Sequence, residues 1–255
     1  MELFYRKIGE EGRPLIILHG LFGSGDNWQT LARSYAEDHQ VYLVDQRNHG
    51  RSPHADEFSY ELMADDLAKF VEDHDLTDVD MIGHSMGGKT AMLFASEHSY
   101  ALNKLIVADM APKPYPLHHQ KILEALMTAD LNSLGTRGAV GKHLEQHIEE
   151  EGVRQFLLKN LYWKNKGELA WRFNVPVLNR EIGVIVDETD QQICLTDTLF
   201  VRGSESNYIT DEDQFYLSHY FPNSELETIN GAGHWLHAEA PETFLAVTRT
   251  FLEAL

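Results

Sequence analysis

Apolar residues in this chain fall into short unbroken runs: Pro14 to Leu18, Val41 to Val44, Val79 to Ile82, Leu105 to Ala108 and Thr198 to Val201. Runs that are continuous rather than alternating predict strands buried on both faces of a parallel sheet. Segments with helical spacing lie between and after them, at Tyr60 to His74, Gly87 to His98 and Thr243 to Leu255. Alternation of this kind implies right-handed βαβ crossovers and an α/β class. Residues 2 to 7 read as an antiparallel edge strand, and Glu225 to Asn230 as the last strand before the final helix.

The alternation lapses after Pro112, where Pro114 and Pro116 also break the chain, and helical stretches without a clear strand continue to about Cys194. A gap of roughly 80 residues between two sheet strands is too long for an ordinary loop. Residues 112–189 are therefore expected to form an inserted helical cap, with 1–111 and 190–255 making the core. Such a cap would lie over the carboxyl ends of the strands, where open α/β sheets bind ligands.

Three chemical motifs fall at strand ends. Gly83-His84-Ser85-Met86-Gly87 sits between a predicted strand and a predicted helix, the context of a nucleophile elbow in the α/β-hydrolase fold. Glycines two residues either side would relieve crowding in a sharp turn, and the Met86 N–H would face developing negative charge at the helix start. His19-Gly20-Leu21-Phe22-Gly23 follows the first parallel strand, where this fold supplies a second oxyanion-hole donor; Leu21 is the candidate. Losing one such donor typically costs about 3 kcal/mol of transition-state stabilisation.

Gly231-Ala232-Gly233-His234-Trp235 precedes the terminal helix, and the fold's chain order of nucleophile, acid and histidine selects His234 from 14 histidines, with His237 as the alternative. The acid has two candidate positions. Asp109 ends the strand after the elbow, whereas the loop after the next strand, Arg202 to Asn207, offers Glu205 but no aspartate. Asp109 is preferred.

Length and charge narrow the class further. A chain of 255 residues buries roughly three quarters of its unfolded surface as one large domain or a domain with an insert. A formal charge of −19 argues against nucleic acid and anionic lipid as partners. No run approaches the ~18 apolar residues of a membrane span, and the first ten residues do not read as a signal peptide. The single Cys194 has no metal-ligand spacing around it, and cytoplasm is the expected compartment. His143 and His147 share a helix face but lack the HExxH order, so they, like His118-His119, read as surface rather than metal-binding. Residues 111–181 depart from the acidic whole, with ten basic against eight acidic side chains.

Longer matches surround these motifs: HGLFGSGDNW at 19–28, DQRNHGRS at 45–52, GHSMGGK at 83–89, VADMAP at 107–112, EEGVRQFLLKN at 150–160, WRFNVPVL at 171–178 and GAGHWLHAE at 231–239. Together they resemble the YbfF-type esterases of the α/β-hydrolase superfamily, relatives of the abhydrolase-domain-11 group. The likeness covers core and cap. It implies Asp109 as the triad acid, Ser206 standing where most of the superfamily carries it. It further implies hydrolysis of carboxylic esters, extending to acyl thioesters such as acyl-CoA, with no metal or organic cofactor.

The expected chemistry is acyl transfer through Ser85, His234 and Asp109, with Leu21 and Met86 N–H groups on the oxyanion and a small-molecule ester or thioester as substrate. Phe22, Phe156, Trp163 and Trp171 are candidate substrate contacts. Lys164, Lys166 or Arg172 would admit an anionic substrate. Carbon–carbon bond hydrolysis or perhydrolysis on the same fold is the alternative, and a non-catalytic binding protein the remote one. Monomer and homodimer stay equally open.

Overall fold

The computed structural model describes residues 1–117 and 119–254. Seven strands build one sheet: β1 (Tyr5–Ile8), β2 (Arg13–Leu18), β3 (His39–Val44), β4 (Val79–His84), β5 (Leu102–Ala108), β8 (Asp197–Gly203) and β9 (Ser224–Ile229). Their spatial order is β1-β3-β2-β4-β5-β8-β9. Only the first pairing is antiparallel, β1 against β3 with Tyr5 opposite Val44; the others are parallel.

Unbroken apolar runs are explained by what covers the two faces. Along β2, Ile16 and Leu18 join a cluster with residues of α2 (Tyr60–Asp73) and α3 (Met86–Glu97). Leu15 and Ile17 join a second cluster with residues of α1 (Gln29–Tyr35) and the terminal helix Pro241–Glu253. Neither face of a central strand meets water, so polar alternation has no place there. At roughly 25 cal/mol per Å² of apolar surface, burying each such Leu or Ile is worth about 2 kcal/mol.

Between β5 and β8 the chain leaves the sheet. This insert holds α4 (Gln120–Thr128), α5 (Leu131–Leu134), α6 (Arg137–Glu145), α7 (Glu151–Leu158), α8 (Val175–Arg180) and α9 (Ile182–Val186). It is not all helical, as the sequence pattern led us to expect. Strands β6 (Leu161–Asn165) and β7 (Glu168–Trp171) form an antiparallel hairpin, closed by Gly167 at a positive φ of 84°. Each strand is five residues or fewer, too short for periodicity to declare it. After β8 come α10 (Gln214–Tyr220), α11 (Leu236–Glu239) and α12 (Pro241–Glu253). No described helix is long and apolar enough to cross a membrane.

The insert is pinned to the sheet by buried polar contacts. Asn160 donates to the Phe22 carbonyl at 2.8 Å, and the Asn174 N–H to the Asn48 carbonyl at 2.9 Å. Lys89, fully buried on α3, sends its ammonium to the carbonyls of Val186 and Asp187 at the end of α9. Tyr60 and Tyr115 rings flank that ammonium at 5.6 and 5.0 Å. Burial pushes its pKa down to about 8, opposed by Asp187 and Glu188. Lys89→Met keeps the apolar stem but takes the donor from the Asp187 carbonyl, so we expect a stability loss of about 1–3 kcal/mol. Urea unfolding would measure it, and an unchanged midpoint would remove the ammonium as an anchor.

Candidate active site

The elbow departs from ordinary backbone geometry. Ser85, between the end of β4 and the start of α3, has φ 53° and ψ −120°, a region that L-residues occupy only when their surroundings enforce it. Two flanking glycines make the turn possible. A Cβ on Gly83 would stand 2.4 Å from the Gly87 carbonyl oxygen, and one on Gly87 would stand 2.6 Å from the carbonyl oxygens of Leu18 and His19. Met86 is the first residue of α3, so its N–H has no carbonyl partner within the helix.

The loop after β2 closes against this turn. A Cβ on Gly20 would meet His84 Nδ1 at 3.0 Å and Ser85 Cβ at 3.1 Å, so the chain approaches the nucleophile position through a residue without a side chain. His19 fixes the loop from below: the Gln46 N–H donates to its Nε2 at 3.0 Å, and the Gln46 side chain donates to the His19 carbonyl at 2.6 Å. Asp45 accepts from the Gly25 and Arg51 N–H groups at 2.7 and 2.8 Å. The 45–52 motif thereby holds the 19–25 loop in place.

Three side chains meet at the carboxyl ends of β4 and β5. His234 Nε2 lies 3.0 Å from Ser85 Oγ, and His234 Nδ1 donates to Asp109 Oδ2 at 2.8 Å. This chain of contacts can pass the hydroxyl proton to the imidazole while the carboxylate fixes the ring. Asp109 is completely buried and sits at φ 51°. It also accepts from Ser206 Oγ and, at 3.4 Å, from the Gly203 N–H. Burial pushes its carboxyl pKa up to about 7, while those two hydrogen bonds and Arg202 pull it back down. Glu205, the rival acid, is exposed, and its N–H donates to the Ala232 carbonyl.

His234 is held on several sides. Tyr208 stacks on its ring with centroids 3.7 Å apart. His84 donates from Nε2 to the His234 carbonyl at 2.9 Å, and burial keeps that imidazole neutral, with its pKa pushed down to about 3. Gly233 N–H donates to Glu239 at 2.6 Å. His237, the alternative base, is buried and stacks on Trp28 at 4.2 Å. It packs the floor of the site.

Above Ser85 lies a cavity of about 260 Å³, reached by Leu21, Phe22, Phe156, His234 and Trp235. Among the described residues no cluster of His, Cys, Asp and Glu could hold a metal ion.

A family model for the alpha/beta hydrolase fold matches residues 13–140. Over 240 residues the chain is 38% identical to esterase YbfF of Escherichia coli, covering 94% of this chain and 92% of that protein. It is 35% identical to the sn-1-specific diacylglycerol lipase ABHD11 of Mus musculus, covering 96% and 82%. The structure of a marine microorganism esterase superposes with a TM-score of 0.96 at 46% identity, covering 98% of this chain and 99% of that one. The chain belongs to the α/β-hydrolase family.

Within this α/β-hydrolase, Phe22 and Phe156 line the cavity, but the other two aromatic candidates do not. Trp163 stands 57% exposed on β6, pointing away on a hairpin whose turn is charged. Trp171 is buried against Phe173, ring centroids 5.3 Å apart, and serves the packing of the insert. The charged candidates lie on or beside the same hairpin. Lys164 pairs with Glu168 at 3.8 Å along the hairpin, and Arg172 lies over the Tyr162 ring. His119 corrects the surface reading in the other direction, because it lines the cavity; His118 lies outside the described residues. His143 Nε2 bonds the Ala125 carbonyl at 2.9 Å, joining α6 to α4. Sequence reasoning missed Tyr208 and the partnership of Ser206 with Asp109. A serine at the superfamily's usual acid position was the available signal for the latter.

Proposed function

We propose that this hydrolase is a serine carboxylesterase, acting on small-molecule carboxylic esters and extending to acyl thioesters. The observation that carries the reading is the unbroken path from Ser85 Oγ through His234 to Asp109, at 3.0 and 2.8 Å, placed on a strained elbow. Ser85 attacks the acyl carbon as His234 takes its proton. The oxyanion sits between the N–H groups of Leu21 and Met86, and His234 returns the proton to the leaving group. Water, deprotonated by the same imidazole, then releases the acid. Asp109 holds the Nδ1–H tautomer and stabilises the imidazolium. No step requires a metal or organic cofactor.

Relatives named as an esterase and as a lipase support ester substrates for this chain. A fluorophosphonate probe tests the nucleophile, and an adduct mapped to any residue but Ser85 would overturn the assignment. The cap role of the insert is part of the same proposal, since Phe156 on α7 lines the cavity.

A pH dependence follows from the burial of Asp109. As pH falls through about 7 the buried Asp109 carboxyl takes up a proton, and a neutral carboxyl no longer stabilises the imidazolium that forms as His234 takes the Ser85 proton. Hence kcat/KM is expected to fall on the acid side. Ser206 lowers the Asp109 pKa by its hydrogen bond, so Ser206→Ala raises it and moves the acid limb to higher pH. A limb that stays put in a pH–rate profile would detach Ser206 from the triad.

A further inference from the structure

Ser85 opens onto two cavities of very unequal size. The larger, of about 260 Å³, is bordered by His234, Trp235, Val153, Phe156 and Leu157. The smaller, of about 20 Å³, shares Leu21, Ser85, His119 and Tyr208 with it but is otherwise closed by Tyr60, Met86, Met110, Tyr115, Ile185 and Val186. His234 borders the larger and not the smaller.

We infer that the small cavity receives the acyl group and the large one the leaving group, so that the chain selects short-acyl esters of bulky apolar alcohols or thiols. This rests on the catalytic reading above. In the tetrahedral intermediate the former carbonyl carbon carries Ser85 Oγ, the oxyanion, the acyl substituent and the leaving-group atom. The proton that left Oγ moves from His234 Nε2 to the leaving oxygen or sulfur as its bond to carbon breaks. That atom must therefore lie within hydrogen-bond reach of Nε2, which places the alcohol or thiol on the side His234 borders. The acyl substituent is directed to the other side. A cavity needs about 10–15 Å³ for one water-sized group, so 20 Å³ accommodates an acetyl or propionyl tail.

The small cavity is held at that size. Tyr60 donates to the Ile185 carbonyl at 2.8 Å, and the Tyr115 N–H donates to the Val186 carbonyl at 2.7 Å. Lys89 reaches that same Val186 carbonyl at 3.4 Å from α3. Tyr115 also donates from its hydroxyl to the Tyr208 carbonyl at 3.0 Å. Widening the wall for a longer acyl chain breaks several buried hydrogen bonds at once. At the mouth of the large cavity Trp235 is 36% exposed.

Two substrate series separate the sides: p-nitrophenyl esters from acetate to octanoate, and acetates of alcohols from ethanol to 1-naphthol. For the wild type we expect kcat/KM to fall at least tenfold from acetate to octanoate. Met110→Ala and, independently, Ile185→Ala should raise the octanoate-to-acetate ratio at least tenfold, either one sufficing if the other fails to fold. Val153→Trp should depress 1-naphthyl acetate at least tenfold relative to ethyl acetate. It should leave the deacylation rate of the acetyl-enzyme, read after the p-nitrophenol burst, within twofold, because the alcohol has already departed. If Val153→Trp instead lowers the octanoate-to-acetate ratio, or neither enlargement moves the acyl profile, the assignment is overturned. Failure of the catalytic reading is distinguishable, since it would abolish the burst and the fluorophosphonate adduct at Ser85.

Discussion

Replacing Ser85 with alanine is expected to lower kcat for a simple ester by roughly 10⁶, because in the proposed mechanism nucleophile, base and acid act as a unit and removal of the nucleophile forfeits most of what all three supply. The same position should show the opposite effect on stability. Its φ of 53° lies where side chains are strained, by about 1–3 kcal/mol, and glycine adopts such angles freely. Ser85→Gly is therefore expected to be inactive and to melt a few degrees above the wild type, at roughly 2–4 °C per kcal/mol for a chain of this size. Calorimetry beside an ester assay measures both. A variant that loses activity without gaining stability would mean the elbow is relaxed rather than held under strain, and residual activity within a hundredfold of wild type would dismiss Ser85 as nucleophile.

The sheet was legible because its signal is local and repeated: each central strand is a run of apolar residues whose two faces are both covered, and each face's share can be seen in Leu15 and Ile17 against Ile16 and Leu18. The elbow was legible for a related reason, since glycine spacing encodes a backbone crowding problem directly. The insert was not, because its hairpin strands are short and its aromatic residues serve two purposes that composition cannot separate. Trp171 packs on Phe173 and Trp163 faces outward, while Phe156 reaches the cavity. Partners contributed by distant loops were equally hidden. Nothing near Tyr208 or Lys89 in the chain announces a stacked imidazole 26 residues onward or a helix end 97 residues away.

Asp109→Asn is expected to lower kcat by about 10⁴, since an amide at that place presents a donor to Nδ1 and favours the wrong imidazole tautomer. Glu205→Gln, assayed alongside, should leave kcat within twofold, its side chain being exposed rather than turned to the imidazole. The comparison bears on how the acid of the proposed triad can change its place in the chain. His234 presents Nδ1 to a point at the ends of β5 and β8, and either strand could supply the carboxylate. Here β5 supplies it and the loop after β8 supplies Ser206, whose hydroxyl donates to Asp109. Restoring an acid from the later position tests that equivalence: Asp109→Ser with Ser206→Asp should recover at least tenfold of the activity that Asp109→Ser alone loses. No recovery, with the double variant folded by its melting curve, would show that the carboxylate's place at φ 51° on the end of β5 is itself required.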